Sequence, residues 1–213
     1  MQELSKRLLS SLILIPLVLF FIIKGSYLFI FFILICFLIA SYEWYKMSNK
    51  KSYFLPGIFF LILSFYSAYE IRINLDNNFE LFIYILIICV STDFGGYIFG
   101  KIFKGPKLTR ISPKKTYSGV IGSYLLSIIF IYLFINSSYF LKTYGITHNN
   151  FILILLISTV SQFGDITISF FKRSSKIKDT GKIIPGHGGL LDRIDGMIFA
   201  FPVAYIIFKI INI

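Results

Sequence analysis

The residues that could do chemistry are concentrated in the range 161–196 of a chain that is otherwise rich in Phe, Ile and Leu. Asp165 lies inside an apolar segment, which ends at Lys172-Arg173. A basic loop then leads through the turn Pro185–Gly189, which contains a histidine, to the acidic sequence Asp192–Asp195. Carboxylates, cations and flexible glycines suit a site that handles phosphates and a divalent metal beside a bilayer. Packing alone does not require these residue types.

The elements that must position these residues are long apolar segments. Hydrophobic residues make up 56% of the 213 residues, which is too apolar for an ordinary soluble domain. Runs of roughly 20 apolar residues are typical of transmembrane helices. We predict an all-α, polytopic membrane bundle, a single domain over 1–213, with about seven spans at 8–23, 27–45, 53–69, 79–100, 117–136, 150–171 and 194–213. Cys36 and Cys89 both lie in apolar runs, so no disulfide is expected.

The basic residues predict the orientation of these spans. The net charge is +11, and if the connecting segments alternate between two sides, one side holds all but four of the 21 basic residues. The four on the other side are Lys24, Arg72, Lys142 and Lys209. By the positive-inside rule, the N-terminus and both long basic loops are cytoplasmic. A basic chain can bind nucleic acid, but charges confined to short loops between spans favour anionic headgroups or a nucleotide instead.

The sixth segment carries a polar stripe. Its polar residues recur every three or four positions: Ser158, Ser161, Gln162, Asp165, Ser169 and Lys172. This spacing places them on one helix face, which must line protein interior or a watery cavity. A carboxylate near mid-span costs about 2.5–3.5 kcal/mol on insertion scales, so Asp165 is a candidate functional residue. The alternative is a hydrogen-bonded structural aspartate that holds helices together.

The fourth segment and the loop after it form a second group. Asp93 and Tyr97 share a helix face, and Gly95, Gly96 and Gly100 allow another backbone to approach closely. In the loop, Pro113 prevents helix from continuing, and the hydroxyls that can cap the next helix are Ser112, Thr116 and Ser118. Helix N-terminal amides beside Lys114 and Lys115 would make an anion site. The alternatives are a structural Asp93 and a basic flank that only sets topology.

The loop after the sixth segment has its own candidates. Its glycines, at 181, 186, 188 and 189, would let backbone amides approach phosphate oxygens. Asp192 and Asp195 are three residues apart at the start of the last segment and face the same way. Acids at a helix start are also common as simple caps, which is the alternative for this pair.

The range Ser169–Asp195 reads S-F-F-K-R-S-S-K-I-K-D-T-G-K-I-I-P-G-H-G-G-L-L-D-R-I-D. It closely resembles the signature of the phosphatidate cytidylyltransferase family, also called CDP-diacylglycerol synthases: S-x-x-K-R, four residues, K-D, then P-x-H-G-G-x-x-D-R-x-D. The ranges Ile111–Thr116 and Asp93–Lys101 also resemble family motifs. The similarity covers 90–213, the catalytic region, and leaves 1–89 as N-terminal spans of variable architecture. Two departures stand out: Ser118 replaces the usual Glu before Gly119, and the chain is short for the family, with a span or two fewer before residue 80.

The resemblance implies transfer of CMP from CTP to phosphatidate, with CDP-diacylglycerol and pyrophosphate as products. It implies Mg²⁺ bound by Asp165 and Asp192, with room for a second cation. Candidate catalytic residues are Asp165, Asp192, Asp195, Lys172, Arg173 and Arg193. Candidate substrate-binding residues are Ser169, Lys178, Asp179, His187, Gly188, Gly189, Ser112, Lys114, Lys115 and Asp93. The expected setting is a bacterial inner membrane with the site facing the cytoplasm; a homodimer is compatible with the family.

Three other functions compete with this prediction. Another CTP-dependent lipid transferase would use the same chemistry on a different acceptor. An ion-coupled transporter would need acidic residues that open to both sides, whereas the acids here gather at one mouth. A scaffold protein would not need the loop that carries glycine and histidine.

The metal assignment predicts the effect of two substitutions. Asp165→Asn and Asp192→Asn should each abolish CMP transfer and leave membrane insertion intact, because an amide is a poor ligand for a hard cation. Transfer of radiolabelled CMP measures the first effect, and the yield of protein in washed membranes measures the second. Near-normal activity in either variant would remove the metal role of that residue.

Overall fold

The computed structural model describes residues 2–75, 79–109, 111–137 and 151–211, and side chains are described from residue 9 onward to residue 210. Arg110, Lys142 and the side chains of Lys6 and Arg7, which contribute to the charge prediction, lie outside these residues. The helices are α1 Gln2–Lys24, α2 Ser26–Ser48, α3 Phe54–Glu70 with a π-helical turn Ile71–Leu75, α4 Glu80–Phe103, α5 Tyr117–Ser137, α6 Phe151–Ser174, α7 Leu191–Ile194 and α8 Met197–Ile211.

Each of the seven predicted apolar segments contains one long helix, so the all-α architecture is confirmed. Within the described ranges, five helices are long and apolar enough to cross a membrane, namely α2, α3 with its π turn, α4, α5 and α6. The apolar parts of α1 and α8 are shorter, at Leu9–Lys24 and Met197–Ile210. Many large apolar side chains on these helices are exposed, which suits contact with lipid rather than water. The protein is therefore a polytopic membrane protein.

Helices α4 and α5 are packed closely through small residues. A Cβ atom added at Gly95 would lie 2.3 Å from the carbonyl oxygen of Gly122, and one added at Gly119 would lie 2.8 Å from that of Gly96. The Ser123 hydroxyl donates across the same interface to the Thr92 carbonyl at 2.7 Å. The predicted close approach at the glycines of the fourth segment is thus confirmed, and α5 is the partner.

Polar and charged side chains are concentrated at one end of the helix bundle. Three contacts join this end: Ser10 of α1 reaches His187, Tyr53 before α3 shares a hydrogen bond of 3.0 Å with Ser175 after α6, and Lys115 before α5 reaches Asp165. The start of α1, the start of α3, the start of α5 and the end of α6 therefore lie together, as the alternating topology predicts.

The loop between α4 and α5 folds back on itself at this end. The Leu108 amide donates to the Lys115 carbonyl at 2.8 Å, and the Tyr117 amide donates to the Pro106 carbonyl at 3.2 Å. Thr116 caps α5, since its hydroxyl accepts from the Gly119 amide at 3.1 Å. Of the three predicted caps, Thr116 therefore fills the role, and the folded loop brings Lys115 over the bundle.

The α4–α5 interface predicts unequal effects of two neighbouring substitutions. Gly95→Ala should destabilise the protein by about 1–3 kcal/mol, because its methyl group meets backbone that cannot move aside. Gly96→Ala is the matched control, since its methyl group would lie 3.0 Å from the Ser123 hydroxyl and at an ordinary contact distance of 3.9 Å from the Gly119 carbonyl oxygen. Thermal unfolding of the two variants in detergent measures the difference, and equal melting temperatures would contradict the close backbone contact.

Candidate active site

A buried ion pair joins the end of α6 to the short helix α7. Lys172 Nζ donates to Asp192 Oδ1 at 2.8 Å, and the two side chains are only 10% and 6% exposed. The other oxygen, Oδ2, accepts from the Thr180 amide at 2.8 Å and the Gly189 amide at 3.1 Å, and it lies 3.0 Å from the Thr180 hydroxyl. The carboxylate of Asp192 is thus held from three sides.

These partners also set the charge state of Asp192. Burial alone would raise the pKa of its carboxyl, but the hydrogen bond and charge of Lys172, with the amides of Thr180 and Gly189, hold that pKa below its ordinary value. Donors aimed at a carboxylate stabilise its charged form. Asp192 is therefore an anion at neutral pH.

A second pair joins the α4–α5 loop to α6. Lys115 Nζ lies 2.6 Å from Asp165 Oδ2 and also donates to the Gln162 carbonyl at 3.3 Å. The Ser169 hydroxyl donates to Asp165 Oδ1 at 3.3 Å, one turn further along α6. The folded α4–α5 loop therefore places the Lys115 ammonium group beside the Asp165 carboxylate, which the sequence analysis located inside a membrane segment.

Three carboxylates share the space beyond this pair. Burial raises the pKa of the Asp195 carboxyl well above its ordinary value, and the nearby negative charges of Asp165 and Asp93 raise it further. Asp195 lies against α6 beside Asp165, since a Cβ atom added at Gly164 would lie 2.8 Å from the Asp195 carbonyl oxygen. Asp93 acts on Asp195 through its charge.

The polar stripe of the sixth segment faces the protein interior, as predicted. Ser158, Ser161, Ser169 and Lys172 are all buried. The Thr92 hydroxyl of α4 donates to the Ser158 hydroxyl at 2.8 Å, deep between α4 and α6. The stripe therefore leads from a helix–helix contact to the charged end of the bundle.

The glycine-rich turn differs from the expectation that its amides face a triphosphate. The amides of His187 and Gly188 donate to the Ile184 carbonyl at 3.0 and 3.2 Å, and the Gly189 amide donates to Asp192. Gly188 adopts a φ of +90°, a conformation that side chains rarely allow. These glycines therefore form the turn and hold Asp192, because their amides are already used within the protein.

The His187 ring also lies elsewhere than expected. Its Nδ1 shares a hydrogen bond of 2.8 Å with the Ser10 hydroxyl, and its Nε2 lies 3.4 Å from the Ser11 hydroxyl, both on α1. The His187 carbonyl accepts from Arg193 at 2.8 and 3.1 Å. In this structure His187 links α1 to the turn rather than presenting a free donor.

The remaining candidates lie around the rim of this end. Arg173 is exposed and donates to the Ile177 carbonyl at 3.2 Å. Lys114, Lys178 and Asp179 are exposed, and Ser112 is half-buried in the α4–α5 loop, where its amide donates to the Thr109 hydroxyl. These positions suit contact with a substrate that arrives from the polar side.

One participant was missed by the sequence analysis. Glu43 of α2 is 1% exposed and accepts from the Leu190 and Leu191 amides at 2.9 and 2.8 Å and from the Thr180 hydroxyl at 2.9 Å. The available signal was an acidic residue near the end of an otherwise apolar segment, beside Trp44. Nothing in its spacing pointed to a loop whose contacting residues lie 137 to 148 positions further along the chain.

An apolar cavity opens beside the same loop. Its volume is about 400 Å³, within the range of small-molecule sites. Apolar side chains from α1, α2, α3, α4 and α8 form its walls, including Val18, Ile33 and Phe82. Ser11 and Arg193 both contact His187 on the side next to the loop, which is the polar end of the cavity. The rest of the lining, its apolar body, includes Ser64 as a further hydroxyl residue.

The oxygen donors of this region fit a magnesium ion. Among the residues that the structure describes, no three His, Cys, Asp or Glu side chains form a ready-made metal cluster. Magnesium does not need one, because it is usually bound by one or two carboxylates and completes its shell with water and substrate phosphates. Each oxygen of Asp165 accepts one hydrogen bond from Ser169 or Lys115, which leaves lone pairs for a cation.

Comparison with known proteins identifies the family. The model of the cytidylyltransferase family matches residues 5–75 and 57–211. The chain belongs to the cytidylyltransferase family. As a member of this family with a polytopic helical fold, it is a membrane nucleotidyltransferase.

The relatives in this family are bacterial proteins named phosphatidate cytidylyltransferase. One from Rickettsia felis is 32% identical over 211 residues, which cover 97% of this chain and 92% of the relative. One from Rickettsia typhi is 33% identical and covers 96% and 91%. A Brucella suis relative is 35% identical over 151 residues, 70% of this chain and 54% of the relative. The alignment thus spans nearly the whole length of the Rickettsia relatives and about half that of the Brucella relative, and the expected shortness before residue 80 stays a prediction.

The buried ion pair predicts a specific effect of removing Lys172. Lys172→Gln should destabilise the protein by roughly 3–5 kcal/mol, because it leaves the Asp192 charge buried without its cation. CMP transfer should fall at least about a hundredfold, as is typical when an electrostatic donor is lost. Lys176→Gln, at an exposed lysine just after the end of α6, is the matched control.

Thermal unfolding and initial rates of CMP transfer, measured on the same two preparations, test this. A Lys172→Gln protein as active and as stable as the Lys176→Gln protein would contradict the importance of the pair.

Proposed function

We propose that this chain transfers CMP from CTP to phosphatidate and releases CDP-diacylglycerol and pyrophosphate, an early step of phospholipid synthesis. The family and the names of the Rickettsia relatives, which align with almost the whole chain, support this reaction. The structure supports it as well, since Lys172 and Asp192 of the signature at 169–195 form an ion pair at one end of the bundle.

The observation that carries the proposal is the position of Arg193. This residue lines the polar end of the apolar cavity and also follows Asp192 directly in the loop. A lipid with its acyl chains in the cavity would place an anionic headgroup against Arg193, beside the carboxylates and lysines. A water-soluble acceptor without acyl chains would not fill the apolar body of the cavity.

The reaction brings two anions together. An oxygen of the lipid phosphate forms a bond to the α-phosphorus of CTP, and the bond from that phosphorus to the oxygen bridging to the β-phosphate breaks. The pyrophosphate leaves with the electron pair. A phosphate anion needs no base to attack, so catalysis consists mainly of alignment and of neutralising charge.

The chain's own cations supply part of that neutralisation. Lys115 and Lys172 are held at the carboxylates of Asp165 and Asp192, and Arg193 lies at the cavity. A cation already fixed in place loses little further entropy when phosphate binds and needs little reorganisation in the transition state. In this proposal these side chains bind and orient the phosphates, with Arg173 and Lys178 nearer the entrance.

Asp165 and Asp192 would hold Mg²⁺, with Asp93 and Asp195 in support. When bound, the ion would screen the negative charge that develops on the transferring phosphate. The crowding of Asp93, Asp165 and Asp195 supports a cation here, because their mutual repulsion falls when a positive charge is shared among them.

We further propose that the protein lies in a bacterial inner membrane with this end facing the cytoplasm, where CTP is available. The concentration of basic residues at this end supports that orientation through the positive-inside rule. A homodimer, a second cation and the absence of nucleic acid as a partner stay predictions.

Labelled CTP, phosphatidate vesicles and the purified protein in detergent test the reaction. We expect a labelled CDP-lipid with Mg²⁺, none after EDTA, and recovery when Mg²⁺ is restored, while the helical circular dichroism spectrum stays unchanged throughout. A product formed with polyprenyl phosphate but not with phosphatidate would identify another lipid transferase. No labelled lipid from any acceptor would overturn the proposal.

A further inference from the structure

The Glu43 carboxylate is buried, where a carboxylate is unfavourable unless hydrogen-bond donors stabilise it. It lies on α2, whose sequence is mostly apolar, and it is 1% exposed. Its three donors are neutral: two backbone amides and one hydroxyl. A buried carboxylate held only by neutral donors requires all of them to be well placed.

The loop between α6 and α7 leaves space for the Glu43 carboxylate at two glycines. A Cβ atom at Gly181 would lie 2.5 Å from Glu43 Oε1, and one at Gly189 would lie 2.5 Å from Oε2. Real Cβ atoms do not approach this closely, so a side chain at either position would displace Glu43. The carboxylate therefore lies between the two backbone segments of the loop, and glycine on both sides makes room for it.

Glu43 and Asp192 share their partners. The Thr180 hydroxyl lies 2.9 Å from Glu43 Oε2 and 3.0 Å from Asp192 Oδ2. Along the backbone, the Gly189 amide donates to Asp192, and the next amide, of Leu190, donates to Glu43. Any shift of the loop relative to α2 would therefore move the donors that hold Asp192.

We propose that Glu43 is a positioning residue for the reaction: from α2 it fixes the loop so that Asp192 meets Lys172 and any cation at a constant position. It acts through Thr180 and the backbone, since a side chain this buried is out of reach of substrate. The inference rests on the proposed function only for the role of Asp192 in CMP transfer.

Glu43→Gln is the central variant. Its NH₂ group replaces one acceptor oxygen and faces a backbone N–H, so one loop contact is lost while side-chain size is kept. We expect kcat to fall about tenfold or more and the Mg²⁺ concentration for half-maximal activity to rise by a similar factor. KM for CTP should change little. Glu43→Asp, which keeps the charge, should recover part of kcat.

A double-mutant cycle tests the route through Thr180. Thr180→Val removes the hydroxyl that contacts both carboxylates and nearly keeps its volume. If Glu43 acts through this contact, the combined variant should be no worse than the poorer single variant by more than about twofold. Independent, multiplying losses would overturn the route. If Glu43→Gln does not fold, Thr180→Val alone must still raise the Mg²⁺ requirement, and a normal requirement would overturn the proposal.

Trp44→Phe is the control for a merely structural role. Trp44 is the next residue on α2, is buried, and donates to the Phe54 carbonyl at 3.0 Å. Its loss should lower the melting temperature without changing the Mg²⁺ requirement. The proposal would be overturned if Glu43→Gln kept the kcat and the Mg²⁺ dependence of the wild type. It would also be overturned if kcat and the Mg²⁺ requirement changed by the same amount in Glu43→Gln and in Trp44→Phe.

Amide hydrogen exchange gives a readout that needs no catalysis. In metal-free protein, peptides covering 178–191 should exchange faster in Glu43→Gln than in wild type, and those in Trp44→Phe should not. If the wild-type protein made no CDP-lipid, the proposed function would fail, whereas exchange at 178–191 would still decide the positioning role. If peptides 178–191 exchanged at the same rate in Glu43→Gln and in wild type, the inference would be wrong, whatever the CMP-transfer activity.

Discussion

The site depends on the ion pair between Lys172 and Asp192. Removing both charges from water costs several kcal/mol for each ion, and the pair is stable when buried because neither oxygen of Asp192 is left without a donor. The Thr180 and Gly189 donors meet that condition on one oxygen, and Lys172 on the other. A loop that moved by one residue would leave a buried anion with half its partners. The position of the loop is therefore coupled tightly to the end of α6.

That coupling explains how so many charges can share one end of an apolar bundle. Asp93, Asp165 and Asp195 repel one another, and Lys115 offsets part of this repulsion from the α4–α5 loop. In the proposed reaction, a cation that enters with the phosphates would offset the rest. Lysines fixed by carboxylates, rather than free in water, keep their direction when a charged substrate arrives.

The sequence predicted what local spacing determines. The long apolar runs predicted the positions of the helices. The three- and four-residue spacing of polar residues predicted the buried face of α6, and the glycines of the fourth segment predicted a close contact with another helix, which is α5. The roles of the Gly188 and Gly189 amides and of the His187 ring differed, because the same residues serve a phosphate loop or a self-contained turn equally well. Glu43 could not be found, since its partners lie far along the chain and only the fold brings them together.

Helix α2 connects the two halves of this site. Ile33 and Cys36 line the apolar cavity, and Glu43 holds the Asp192 loop. Seven residues separate Cys36 from Glu43, a rise of roughly 10 Å along a helix. A rigid helix therefore sets the distance between the apolar body and the charged loop. In the proposed reaction, a lipid whose chains lie in the cavity would need a headgroup that reaches Asp192 across that distance.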